Sequence, residues 1–395
     1  MISFDEAFKK VMQHTQDWGV QTVDLLESTG RILAEPILAD RDFPPFDRST
    51  KDGIAINFSA FENGRSTFQI EGVLSAGMPQ QSLSSADYCF EIMTGAVVPE
   101  NTDTVIMYEQ VILENGNAAI QSIPKKGQNI HKKGSDAITG TVLLPPDRRI
   151  TPAEIGVLAT VGKSHVSVKK LPKVCVISTG NELVDVSEIP LPHQIRKSNT
   201  LSLYAALSGE NIVPELLHLT DDKAVIEENI ARVLQENDVI LLSGGVSKGK
   251  FDFIPEVMES LGVEKVFHRV AQRPGKPFWF GTQKEFNTVV FSFPGNPVST
   301  FANYHIYFVP WFYQCLGLDY PKKEVVLDQA IHNNLPLTRF VQVKTYFEGG
   351  KLFASPIKDG GSGDLASLSK SDGFVCLKPR DLEYQKGELV PIYGT

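Results

Sequence analysis

Asp238-Val-Ile-Leu-Leu-Ser-Gly-Gly245 is an apolar run that stops abruptly in a hydroxyl and two glycines. Two other stretches repeat the design, Lys173-Val-Cys-Val-Ile-Ser-Thr-Gly180 and Thr288-Val-Val-Phe-Ser-Phe-Pro-Gly295. Short continuous apolar runs separated by helical patterns read as parallel strands buried on both faces. In such a sheet, ligands bind just beyond the carboxyl ends of the strands. Three decorated ends at one edge therefore predict a composite pocket for a large, polar, phosphorylated ligand.

Outward from these strands the pattern alternates. One helix is expected after Ser198-Asn199 and a second after Asp221-Asp222, with Ile226, Ile230, Val233 and Leu234 on one face. A third runs through Ile254, Val257, Met258 and Leu261. Strand and helix in alternation make 171–322 an α/β, doubly wound domain. Prolines 44 and 45 break the helical pattern of the first residues and open a β-rich stretch over 46–140. Within it Glu114-Asn-Gly-Asn117 predicts a hairpin turn, because Asn-Gly tolerates positive φ. About the first 40 residues carry helical periodicity, with Ser3 the expected cap of a first helix, and residues 141–170 are of mixed structure, with Thr151-Pro-Ala-Glu154 opening another helix. Residues 323–395 read as a small all-β domain, giving a multidomain chain.

At 395 residues the chain exceeds a single core. Its 42% hydrophobic and 22% charged content is ordinary for a globular protein, and a net charge of −9 gives no reason to expect nucleic acid or an anionic membrane. No segment of about 20 apolar residues predicts a membrane span, and the amphipathic start is not a signal peptide, so the expected location is cytoplasmic. The four cysteines are scattered, which predicts neither disulfides nor a zinc site.

Several turns carry groups suited to anions. Ser243-Gly244-Gly245-Val-Ser247 lets backbone N–H groups approach a ligand, and Asp252 follows as a helix cap or cation ligand. Arg269, Arg273 and Lys276 form a cationic corner stiffened by Pro274 and Pro277; arginine forks bidentately onto oxyanions. Pro294-Gly-Asn296-Pro-Val-Ser299 joins a strand to a helix. Asp52, Thr94 and Asp136 sit in polar turns of the first half. Each motif alone is ordinary turn or surface chemistry. No histidine pair has metal spacing and no nucleophile motif stands out, so the set points to metal-assisted chemistry on an anionic substrate.

Taken together and in order, Phe46-Asp-Arg-Ser-Thr-Lys-Asp-Gly-Ile-Ala55, Ile92-Met-Thr-Gly-Ala96, Ile177-Ser-Thr-Gly-Asn-Glu-Leu183, Ser243-Gly-Gly-Val-Ser247, Arg273-Pro-Gly-Lys-Pro277 and Pro294-Gly-Asn-Pro-Val-Ser299 resemble one family over nearly the whole chain. It is the molybdopterin molybdenumtransferases, the MoeA family that includes the E domains of gephyrin and plant Cnx proteins. The resemblance implies a central molybdopterin-binding domain, a β-rich insertion domain, a β-barrel-like C-terminal domain, and an elongated dimerisation domain from 1–45 plus 141–170. It implies molybdenum insertion into adenylylated molybdopterin, with molybdate as co-substrate, Mg2+ assistance and release of AMP. It also implies a homodimer whose cleft is shared between subunits, fed by a molybdopterin adenylyltransferase.

Carried over position by position, the pattern places functional acids at Asp52, Asp136, Glu182, Asp221 and Asp252, with Asp221 and Asp252 as the magnesium pair and Glu182 positioning substrate. Asp52, Thr94 and Asp136 would come from the partner subunit. Thr179, Gly180, Ser243, Gly244, Gly245, Ser247, Pro294, Asn296 and Ser299 would line the substrate site, and Arg269, Arg273 and Lys276 would hold molybdate or phosphate. Arg339 and Ser362 match contacts from the last domain. The chain departs from the pattern at Lys51, where methionine is common, and at Arg269 and Arg273, where lysines are common. Two other readings share the fold: a molybdopterin adenylyltransferase, whose single domain resembles 171–320, and a scaffold without catalysis.

Overall fold

The computed structural model describes residues 1–246, 253–358 and 360–395. At its centre is a six-stranded sheet whose order is Glu215–Leu219, Val174–Thr179, Val239–Ser243, Thr288–Phe293, Trp279–Gln283 and Glu264–His268. The first four are parallel neighbours, and Ser178, Ser243 and Phe293 lie in one row across the three quoted runs. Alternation explains why those runs are apolar throughout. Val174, Val176, Val239, Leu241, Val289 and Phe291 enter one core, while Cys175, Ile177, Ile240, Leu242 and Val290 enter the core on the opposite face.

Helices cover both faces. Lys223–Glu236 and Ile254–Ser260 lay Ile226, Ile230, Val233, Val257 and Met258 on one side. Asn199–Ser208 and a helical run from Pro297 to Cys315, with a π-helical turn at Tyr304–Phe308, cover the other. The sheet is not parallel to its edge. Trp279–Gln283 runs antiparallel to both neighbours, forming a hairpin with Thr288–Phe293 that the strand–helix pattern did not announce.

The flanking modules build outward from this core. Ser3 accepts the Glu6 N–H at 3.1 Å and caps helix Phe4–Met12, whose Phe4, Ala7 and Val11 enter the central core rather than standing apart. Val20–Asp24 then pairs with His165–Lys169, and Ile37–Leu38 with Val142–Leu144. Helix Pro152–Thr160 opens with a capping box between Thr151 and Glu154. Inserted between these pairs is a sheet in the order Thr104–Met107, Gly53–Ile56, Tyr88–Ile92, Thr67–Leu74, Asn117–Ile120 and Val111–Glu114. Its last hairpin turns at Asn115 and Gly116, both at positive φ.

The C-terminal strands Thr338–Glu348, Lys351–Pro356, Lys323–Leu327, Leu389–Gly394 and Gly373–Leu377 close on themselves as a barrel. Gln272–Arg273, from the central module, adds in parallel to Thr338–Arg339 and bolts the barrel to the sheet. Among the described residues no helix is long and apolar enough to cross a membrane. All four cysteines are free, and burial pushes the Cys175 thiol up to about 12, which suits an inert core residue.

Candidate active site

The strand ends approach so closely that only glycine fits between them. Gly244 has φ +107, and a Cβ there would lie 2.9 Å from Thr179 Oγ1. A Cβ on Gly245, at φ +71, would lie 2.6 Å from the Ile254 side chain. The Gly244 N–H donates to Phe293 O at 3.1 Å. One side chain then ties the turns together: Asn199 Nδ2 donates to Ser243 Oγ at 2.8 Å and to Gly295 O at 2.7 Å. Ser198 gives helix Asn199–Ser208 no side-chain cap, so that helix begins at the pocket with its first N–H groups uncapped by a side chain.

A cavity of about 710 Å³ opens over this edge, lined by Thr179, Gly180, Ser243, Gly244, Gly245 and Asn296 among others. Two carboxylates face it, Glu182 and Asp221. Glu182 folds back over Gly180, where a Cβ would meet its carboxylate at 2.4 Å. Asp221 is fixed by a reciprocal pair, its Oδ2 accepting the Asn181 N–H and its own N–H donating to Asn181 Oδ1, each at 3.2 Å. Arg196 and Lys197 supply cations to the same wall. Asp252 and Ser247 lie outside the described residues. Asp221 supplies a hard carboxylate oxygen of the kind magnesium takes, since that ion uses one or two carboxylates and completes its shell with water and substrate phosphate. Among the described residues no group of three or more His, Cys, Asp or Glu side chains is gathered to hold a metal.

A second cavity of about 520 Å³ adjoins the first, sharing Pro277, Pro294 and Asn296 with it. It lies between the sheet and the barrel and is lined by Arg273, Lys276, Ser299, Arg339 and Ser362. The register places Arg273 opposite Arg339, so the appended strand brings the cations of two modules together. The turn carrying them rests on a buried polar cluster. Gln272 Nε2 donates to Asn303 Oδ1 at 2.8 Å and to Pro274 O at 3.0 Å, and Tyr307 Oη donates to Gln272 Oε1. Asn303 Nδ2 donates back to Gly275 O at 3.3 Å. Across the cavity, Asn296 Nδ2 donates to Ser362 Oγ at 2.8 Å. The Val298 N–H, in the first turn of helix Pro297–Asn303, donates to Ser362 O at 3.1 Å. Arg269 lies apart, at φ +73, with its N–H on Phe278 O, and lines neither cavity.

The remaining expected residues gather in the β-rich module. Asp52 Oδ1 accepts from both Thr94 N–H (2.7 Å) and Thr94 Oγ1 (2.8 Å), which holds the Asp52 carboxyl below its ordinary range. Asp136 lies 2.8 Å from His131 Nε2, whose Nδ1 is 3.2 Å from Arg48. Asp52, Thr94 and Asp136 line neither cavity.

Family models match almost end to end: "MoeA N-terminal region (domain I and II)" over residues 2–162, "Probable molybdopterin binding domain" over 175–314, and "MoeA C-terminal region (domain IV)" over 324–394. A molybdopterin molybdenumtransferase from Synechocystis sp. is 38% identical over all of both chains. The chain belongs to the MoeA family of molybdopterin molybdenumtransferases. A Bacillus subtilis relative of the same name is 32% identical over 99% of this chain and 93% of its own. Two crystal structures of the molybdopterin biosynthesis MoeA protein from Pyrococcus horikoshii, 31% and 27% identical, each superpose with a TM-score of 0.84 over all of this chain and at least 99% of their own.

Against that family frame, sequence reasoning missed Asn199, Arg196, Lys197 and the Gln272–Asn303–Tyr307 support. A signal existed for the first three. Arg196-Lys-Ser-Asn199 is a polar quartet set directly before an apolar helix, the same strand-end chemistry that marked the other turns. The buried support had none, because a lone Gln, Asn or Tyr in a structured stretch carries no periodicity.

Proposed function

We propose that this transferase of molybdenum cofactor biosynthesis inserts molybdenum into adenylylated molybdopterin and releases AMP. The observation that carries the proposal is the adjacency of two chemically different cavities sharing Pro277, Pro294 and Asn296. The reaction joins a long phosphorylated pterin to a small tetrahedral oxyanion, and needs both bound with their reacting parts in contact. The glycine edge suits the phosphorylated substrate; Arg273, Lys276 and Arg339 suit molybdate. The second cavity adds a site that nucleotide transfer alone would not require, which favours insertion over adenylylation.

In this mechanism Asp221 is the described residue that would hold magnesium, and Asp252, outside the described residues, is its expected partner. Bound there, the ion would neutralise charge on the phosphoanhydride oxygens. Glu182, held over Gly180, orients the substrate, and Asn199 keeps the Ser243 and Gly295 turns at fixed separation. The cationic turn would hold molybdate at the shared wall. Water attacks the anhydride phosphorus as AMP leaves, and one molybdate oxygen departs as water with the two thiol protons as the two Mo–S bonds of the dithiolene form. We assign Asp52, Thr94 and Asp136 to the cleft of a second subunit in a cytoplasmic homodimer, because each is polar and structured yet lines neither of the two cavities described above.

The test is AMP release from adenylylated molybdopterin with and without molybdate and Mg2+, coupled to reactivation of a cofactor-free molybdoenzyme. Release that depends on both, with reactivation, is the expected result. ATP-dependent formation of the adenylylated pterin would instead assign the upstream reaction, and binding without turnover would assign a scaffold.

A further inference from the structure

We propose that Lys197 is a substrate-binding cation of the first cavity, donating to a phosphate oxygen of the phosphorylated pterin. The inference rests on the proposed function and adds a residue to its site. The cavity carries two carboxylates, Glu182 and Asp221, yet its occupant is an anion; magnesium at Asp221 would offset one of them, and a lining cation offsets Glu182 and the remaining phosphate charge. Arg273 and Lys276 face the neighbouring cavity, which leaves Arg196 and Lys197 among the described lining residues. Arg196 is exposed and its Nε donates to Glu188 O at 3.0 Å. Lys197 is placed differently. Its side chain is 20% exposed, and its N–H donates to Val184 O at 3.0 Å. The parallel ladder of Leu183–Val184 with Ile195–Arg196 sets the position of this segment beside Glu182. Its Nζ lies 3.1 Å from Asp185 Oδ2, whose own side chain is 60% exposed. An ammonium group has three protons, and a solvated carboxylate is an exchangeable partner for one of them. The next residues, Ser198 and Asn199, begin the helix that has no side-chain cap, so charge and backbone donors face the same space.

The experiment measures equilibrium binding of adenylylated molybdopterin without molybdate, alongside steady-state AMP release, for wild type, Lys197→Met, Lys197→Arg and Asp185→Asn. Lys197→Met is expected to weaken binding and raise KM about tenfold or more, with kcat within about threefold. Lys197→Arg is expected to recover binding to within about threefold, and Asp185→Asn to leave it near wild type with an unchanged melting temperature. Equal binding by wild type and Lys197→Met overturns the assignment. So does equal weakening by Lys197→Met and Asp185→Asn, which would make the ion pair structural. If wild type binds but releases no AMP, the proposed function fails while the binding comparison still decides Lys197.

Discussion

Asp52 is an exposed carboxylate that nonetheless has a fixed geometry, because a single residue, Thr94, donates to the same oxygen twice. Backbone donation is the larger cause of its lowered pKa and the hydroxyl the second. The sign of the pH dependence follows. With the folded value depressed below 3.8, the interaction stabilises the protein above the ordinary carboxylate range and is lost as pH falls through the depressed value. Between about pH 6 and 8 Asp52 is fully ionised, so it acts as a fixed negative charge and not as a proton donor. Thr94→Val removes the hydroxyl and keeps the N–H. The expected result is an Asp52 pKa that moves up toward its ordinary value without reaching it, read by carbon NMR titration of the carboxyl group. No movement would mean that the hydroxyl bond does not form in solution.

At the scale of elements, the turn Arg273-Pro-Gly-Lys276 shows how a buried cluster aims surface charge. Gly275 has φ +86, and a Cβ there would lie 2.3 Å from Asn303 Oδ1, an atom already engaged by Gln272. Gly275→Ala therefore faces strain of about 1–2 kcal/mol from the left-handed backbone and about 1–3 kcal/mol from the displaced buried amide. A loss of about 2–5 kcal/mol is expected in urea unfolding with the m-value unchanged; a loss under about 2 kcal/mol would show that the cluster yields at little cost. This cluster also marks where the sequence stops being legible. The glycine turns at 180, 244 and 245 could be read because no other residue fits positive φ at so close an approach. The direction of Trp279–Gln283 could not, since a strand buried on both faces is apolar whichever way it runs. The short connection from Lys284 to Asn287, with Asn287 at φ +56, turns it back as a hairpin. Likewise Arg269 and Arg273 look alike in the text, yet of the two Arg273 is the one carried to the second cavity, by pairing with a strand that lies far along the chain.

At the scale of the whole molecule, three of the expected site residues, Asp52, Thr94 and Asp136, lie in the β-rich module, far along the chain from the rest. Glu182 and Asp221 stand at the sheet edge, whereas Asp52, Thr94 and Asp136 line neither cavity of the same chain. Spacing along one chain cannot reveal a site completed by a second copy. A closed twofold dimer with its cleft between the sheet module of one subunit and the β-rich module of the other makes both sets necessary and predicts complementation. Each site would need Glu182 from one subunit and Asp52 from the other. Asp52→Asn and Glu182→Gln homodimers should both be inactive for AMP release, each carrying one defect in every site. Unfolded together at equal concentration and refolded, they form about half mixed dimers, each with one intact site and one doubly defective site. Recovered activity is then about a quarter of wild type. If both acids acted within one chain, every chain in the mixture would still carry a defect. Release no higher than that of the separate variants, with dimer exchange verified by mass, would place the site within a single subunit and remove the role assigned to the partner's β-rich module.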